Sequence, residues 1–162
     1  MKIAIITAAL AFIVVAAFAQ GQSQPTGTQS QPAAKPAAPA AGAEPDHITV
    51  QHILIGFKGS VPGKNITRTL EEAKKLAYEI LDRAKKGEEF DALVKQYTED
   101  AYPGIYSMSN NGVAAGPGEY PRSNMVPAFG NTGFPLKVGE IGIADHDQRN
   151  SPYGYHIVKR TK

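Results

Sequence analysis

Apolar and polar residues alternate from His47 to Phe57. Apolar residues then recur at helical spacing from Leu70 to Ala84 and again from Phe90 to Tyr97, thin out over a long polar stretch, and return in two short runs near the end of the chain. The alternation predicts a strand with Ile48, Val50, His52 and Leu54 on one face and Thr49, Gln51, Ile53 and Ile55 on the other. Gly56 to Lys64, with its glycines and Pro62, reads as a loop. Thr69-Leu70-Glu71-Glu72 is a capping box. The threonine hydroxyl accepts from the Glu72 backbone and the Glu72 carboxylate reaches back. Leu70, Ala73, Leu76, Ala77, Ile80, Leu81 and Ala84 continue the helix. Lys85 and Lys86 suit its carboxyl end, and Gly87 supplies the left-handed stop. A second helix is predicted from Glu89 to Tyr97, with Phe90, Leu93, Val94 and Tyr97 turned inward.

Thr98 to Ser123 reads as loop, rich in Gly, Asn, Ser, Pro and Tyr. A loop of this length inside a compact domain is usually functional or mobile. Met125 to Phe134 holds one or two turns of helix, weakened by Gly130 and Gly133. Lys137 to Glu140 is a turn, and Ile141 to Asp145 and Tyr155 to Lys159 are the last strands. A strand, two helices, a long loop, a short helix and a closing pair of strands predict an α+β domain with a small, mainly antiparallel sheet.

The amino terminus departs from this pattern. Lys2 precedes an apolar run from Ile3 to Phe18 broken only by Thr7, and Ala17-Phe18-Ala19 places small residues before Gln20. This is the layout of a secretory signal peptide over residues 1–19. The run is shorter than the ~20 residues of a spanning helix, so cleavage is expected, leaving an exported, periplasmic or extracellular protein without a stable membrane span. Gln20 to Pro45 is built from Gln, Ser, Thr, Gly, Ala and Pro, with Lys35 and Glu44 its only charges. Without large apolar residues it cannot offset its chain entropy, and it reads as a disordered linker. Residues 46–162 are the expected domain.

The charge balance, 17 Lys and Arg against 15 Asp and Glu, gives a formal net charge of +2 and no basic block, so no nucleic acid is expected as partner. The absence of cysteine excludes a disulfide framework, a thiolate nucleophile and a cysteine-based zinc site. Asp145-His146-Asp147 is the only close cluster of metal-ligand type, on a loop, and no metal or cofactor is expected. Asn65-Ile66-Thr67 is a glycosylation sequon by pattern alone.

Two histidines change the picture. His52 interrupts the first apolar run, in Val50-Gln51-His52-Ile53-Leu54-Ile55. His156 interrupts the last, in Tyr153-Gly154-Tyr155-His156-Ile157-Val158. A histidine inside a buried strand needs hydrogen-bond partners, and these two supply each other if their strands are neighbours. Taken alone, each reads as a satisfied core histidine.

Between them lie Ala73 to Gly87 followed by Phe90-x-x-Leu93, then Met125-Val126-Pro127-Ala128-Phe129, then Leu136-Lys137-Val138-Gly139-Glu140-Ile141. With the two histidine segments, in this order, the chain from Thr49 to Arg160 resembles the parvulin-type peptidyl-prolyl cis/trans isomerases, or rotamases. The resemblance implies a parvulin/FKBP-like α+β fold: a four-stranded, mainly antiparallel sheet surrounded by three to four helices, with the first and last strands adjacent. It implies a non-covalent isomerase acting on X–Pro bonds; with the leader, unfolded or partly folded exported polypeptides are the expected substrates, and a monomer is expected.

It also assigns residues. Met125 and Phe129 would form the proline pocket, four apart and sharing one helical face. His52 and His156 would be its polar floor, hydrogen-bonded and both neutral. Ser151 would donate its hydroxyl into that network, and Asp100, after Tyr97-Thr98-Glu99, would be the fourth polar group. The family's Gly-Gly-Asp-Leu-Gly stretch, counted back from Met125, falls on Gly116-Pro117-Gly118. Pro117 would then replace a pocket leucine, with Tyr120 as the aromatic that follows. The stretch from Ala101 to Ala115 is longer than in compact members. Lys58 and Lys64, without an arginine, do not form a phosphate-reading loop, and Arg68 reads as a helix-approach residue. The alternative is an isomerase-like binding module or holdase chaperone with little or no turnover. A third reading, a surface-tethered structural domain, rests only on the Pro/Ala tail.

Overall fold

A computed structural model describes residues 44–162. The predicted signal peptide and nearly all of the linker lie outside the described residues. Strand β1, His47–Ile55, runs through the middle of a five-stranded sheet. Helices α1, Leu70–Lys85, and α2, Phe90–Tyr97, follow it, then β2, Ile105–Ser109, and a two-residue β3, Tyr120–Pro121. A 3-10 turn at Arg122–Asn124 leads to α3, Pro127–Gly133, and the chain closes with β4, Ile141–Ala144, and β5, Tyr155–Arg160. The sheet order is β3-β2-β1-β5-β4. All pairings are antiparallel except the short β2–β3 contact.

The expected four antiparallel strands are joined by a two-residue parallel edge, and the stretch read as loop contains both β2 and β3. The sequence of β2, Ile-Tyr-Ser-Met-Ser, is a weak strand signal. β1 supplies the reason: with β5 on one side, its other edge carries backbone groups that must be paired once buried. The register sets Val50 opposite Tyr106 and Ile48 opposite Met108.

β1 is buried on both faces, and its side-chain alternation sorts two cores. Ile53 and Ile55 pack with Ala77, Ile80, Phe90, Leu93 and Ile157 under α1 and α2. Ile48 and Val50 pack with Met108, Phe129, Phe134 and Val158 under α3. The capping box forms as predicted: the Glu72 amide donates to Thr69 Oγ1 at 3.2 Å and the Thr69 amide to Glu72 Oε2 at 2.7 Å. Gly87 takes φ +94° just past α1. Gly130 has a different task. A Cβ there would lie 2.9 Å from Arg122 Cγ, so its missing side chain lets the guanidinium of Arg122 lie 4.6 Å from the Phe134 ring centre. No helix among the described residues is long and apolar enough to cross a membrane.

Candidate functional site

The antiparallel register of β1 and β5 sets His52 opposite Val158 and Leu54 opposite His156. The two histidines are therefore diagonal neighbours on one face of the sheet, the face covered by α3. Their rings stack 14° from parallel with Nδ1 atoms 3.3 Å apart, long for a hydrogen bond. Both are buried. The edge of His52 meets Phe129 of α3, ring centres 4.9 Å apart, and Tyr106 of β2 at 5.2 Å.

Asp100 reaches this face from the segment after α2, which continues along β1 where β2 leaves off. The Leu54 amide donates to Thr98 Oγ1, the Glu99 amide to the Leu54 carbonyl at 3.0 Å, and the His52 amide to the Gly104 carbonyl at 2.9 Å. Asp100 Oδ2 then lies 2.9 Å from His52 Nε2 and accepts the Tyr106 hydroxyl at 2.7 Å. The hydrogen bond from His52, with that of Tyr106, outweighs partial burial and holds the Asp100 carboxyl well below the usual aspartate range. Burial and the neighbouring carboxylate push the Tyr106 phenol well above its ordinary value. Burial pushes His156 down to about 3, so it is neutral at physiological pH.

An ionised Asp100 only accepts, so His52 Nε2 donates to it. The facing Nδ1 atoms of His52 and His156 share one proton. His156 Nε2 has no partner among the described residues.

Above this polar chain lies a groove of about 290 Å³. Leu54, Met125, Val126 and Phe129 make it apolar, joined by Val61 and Pro62 of the loop after β1 and by Tyr153. The structure thus gathers His52, His156, Asp100, Met125 and Phe129 at one cavity. Met125 and Phe129 do not share a helical face: α3 begins at Pro127, with Val126 as its cap, so Met125 precedes the helix.

Three expected residues sit elsewhere. The Ser151 hydroxyl is buried and donates to the Gly154 carbonyl at 2.8 Å, a bond within its own turn; no hydrogen bond joins it to either histidine. Pro117 is exposed in the turn before β3 and does not line the groove. Tyr120 is half exposed, its ring 5.8 Å from that of Tyr106 and likewise outside the groove lining. Tyr106, which the sequence reading had not assigned to the site, lines the groove and Pro117 does not. Counting back from Met125 failed because the residues between β2 and β3 are an excursion that the sheet bypasses. A signal was available: Tyr106 and Met108 alternate with small or exposed neighbours in a polar stretch. Leu54, Val61, Pro62, Val126 and Tyr153 were also not foreseen. No group of three or more potential metal-ligating side chains occurs among the described residues.

Residues 39–162 match the family model described as a PPIC-type PPIASE domain. The foldase protein PrsA of Caldanaerobacter subterraneus subsp. tengcongensis is 41% identical over 86 residues, 53% of this chain and 24% of that protein. The foldase protein PrsA of Geobacillus sp. (strain WCH70) is 34% identical over 116 residues, 70% of this chain and 37% of that protein. That of Bacillus subtilis is 34% identical over 108 residues, 66% of this chain and 32% of that protein. The matched region is thus little more than a third of the relatives' length at most. Among solved structures, TbPIN1 aligns with a TM-score of 0.54 and 22% identity, covering 72% of this chain and 98% of that one. The peptidyl-prolyl isomerase ESS1 of Candida albicans aligns with a TM-score of 0.54 and 24% identity, over 72% of this chain and 63% of that one. At these identities the likeness to the two structures is one of fold.

Proposed function

The chain belongs to the PPIC-type peptidyl-prolyl isomerase family, and on that premise we propose that it isomerises X–Pro bonds in unfolded or partly folded exported polypeptides without a covalent intermediate. The barrier to overcome is ~18–20 kcal/mol of amide resonance. Resonance places positive character on nitrogen and negative on oxygen, so surroundings that oppose this polarisation favour the twisted bond. The proline ring enters the apolar groove of Leu54, Met125 and Phe129, which also removes water from the amide. Asp100, ionised and lining the same groove, opposes negative charge on the carbonyl oxygen that turns towards it. His52, backed by His156, holds Asp100 in place, and neither takes a proton from the substrate.

The observation that carries this reading is the hydrogen-bonded run Tyr106–Asp100–His52–His156 directly lining an apolar cavity of proline-ring size or larger. A protease-coupled assay on X–Pro peptides tests it. Isomerisation above the uncatalysed rate is expected, with kcat/KM lowered roughly tenfold by Met125→Ala, which removes part of the differential binding of the twisted state. A folded domain with no rate above background overturns it. The holdase alternative drew on Pro117 as a pocket wall and on the long stretch from Ala101 to Ala115; Pro117 stands outside the groove, while that stretch contributes Tyr106 to its lining. Export rests on the leader pattern, and a monomer is the working state, checked by light scattering.

A further inference from the structure

A second polar cluster lies at the end of β1, next to the proposed site. The Glu99 carboxylate is held on both oxygens: Oε2 accepts the Gly56 amide and Oε1 accepts Arg68 Nη1 at 2.6 Å. The same Arg68 nitrogen donates to the Gly56 carbonyl at 3.0 Å. Both side chains are largely withdrawn from solvent, 28% and 14% exposed, so the pair is screened less than a surface ion pair. Three separate stretches meet here: the last residues of β1, the approach to α1, and the segment after α2.

Two consequences follow from position. Glu99 immediately precedes Asp100, and its own amide is bonded to the Leu54 carbonyl. With its amide bonded to β1 and its side chain to Gly56, the residue after that strand, Glu99 has little freedom, and the backbone of Asp100 is set against the strand that carries His52. Secondly, the loop carrying Val61 and Pro62 begins at Gly56 and ends at Arg68. The Lys58 amide donates to the Arg68 carbonyl at 2.8 Å, closing that loop at its base. The sequence alone gave Arg68 only an approach role.

We propose that Arg68 and Glu99 are positioning residues for the isomerase site. Their ion pair, closed through Gly56, holds Asp100 at hydrogen-bond distance from His52. Neither touches the groove: both are absent from its lining. They act through Asp100. The inference rests on the isomerase reading for its kinetic consequence, while its geometric content is independent of turnover.

The test uses Arg68→Met, which keeps the stem and removes the guanidinium, Glu99→Gln, which keeps the shape and removes the charge, and Arg68→Lys, which keeps a point charge but not the fork. Each is made in the native background and with Asp100→Ala. Displacements of an ångström at a site change rates by up to about a hundredfold. Arg68→Met and Glu99→Gln are expected to lower kcat/KM roughly tenfold in the native background and less than about twofold with Asp100→Ala, Arg68→Lys falling between. Equal losses in both backgrounds overturn the proposal, as does a folded Arg68→Met protein with full activity. The second readout is the ring 15N spectrum of His52. Its Nε2 signal, bonded to Asp100, is expected to move in Arg68→Met, while circular dichroism still reports the native fold. An unmoved signal in the folded variant overturns the proposal even if the native protein proves inactive, which is the separate failure of the isomerase reading. If Arg68→Met does not fold, the isosteric Glu99→Gln carries both readouts.

Discussion

Tyr106 donates its phenol proton to Asp100 Oδ2, the same oxygen that faces His52 Nε2, across 2.7 Å. One carboxylate oxygen thereby joins β2, β1 and the segment after α2. Tyr106→Phe keeps the ring against Phe129 and removes only the hydroxyl. A hydrogen bond to a charged group contributes about 1.5–3 kcal/mol when buried, and the part-exposed Asp100 places this one at the lower end. The expected result is a stability loss of about 1.5 kcal/mol, an Asp100 pKa that rises towards its ordinary value, and a lower kcat/KM. Denaturant unfolding and a carboxyl-detected NMR titration read the first two.

His156 makes stability depend on pH in a defined window. Its pKa falls from 6.5 in the unfolded chain to about 3 in the fold. Between those values the unfolded chain binds the extra proton, so stability is complete above about pH 6.5 and declines as pH falls towards 3. Asp100 and other carboxylates with lowered pKa, such as Glu44 and Glu119, add to the loss only below about 4.5, where their unfolded forms protonate. Melting temperatures measured from pH 7 to 4.5 should therefore fall in the native protein and stay nearly flat in His156→Leu. A flat native profile would refute this assignment.

Gly104 has φ +66°, and a Cβ on it would lie 2.5 Å from the His52 carbonyl oxygen. Gly104→Ala meets both the left-handed backbone penalty and a backbone clash, each of order 1–3 kcal/mol. Because the Gly104 carbonyl accepts the His52 amide, the strain falls on the strand that carries the histidine. Thermal unfolding is expected to show a loss of at least about 2 kcal/mol.

Thr69→Ala removes one half of the capping box at α1 and leaves the Glu72 carboxylate bonded only to the Thr69-position amide. The expected cost is about 1 kcal/mol, a few degrees in Tm. Thr69→Ser restores the hydroxyl and should recover most of it.

The elements legible from the chain are those with local causes. Thr69 and Glu72 start α1 three residues apart, Gly87 stops it, and the 3.6-residue spacing between them chooses its buried face. The alternation of β1 sorted Ile48 and Val50 from Ile53 and Ile55, and the structure places those pairs in different cores. Met125 and Phe129 were legible as groove residues through resemblance, yet they reach the groove from a turn and a helix, which spacing alone did not reveal. β2 was not legible, because its strand character comes from the vacant edge of β1 and not from its own five residues.

His52, His156 and the order of elements between them were determined by the sequence itself: burial demanded partners, and the apolar patterns set the α+β class. The resemblance named each histidine as the other's partner and Asp100 as the further polar group; the tertiary structure decided how they meet and added Tyr106. Diagonal pairing across β1 and β5 brought the histidines together, docking of the segment after α2 delivered Asp100, and β2 added Tyr106. Each of these contacts joins residues whose separation along the chain carries no periodic signal. Their geometry is set by strand register and by backbone hydrogen bonds that must be satisfied once the sheet is buried.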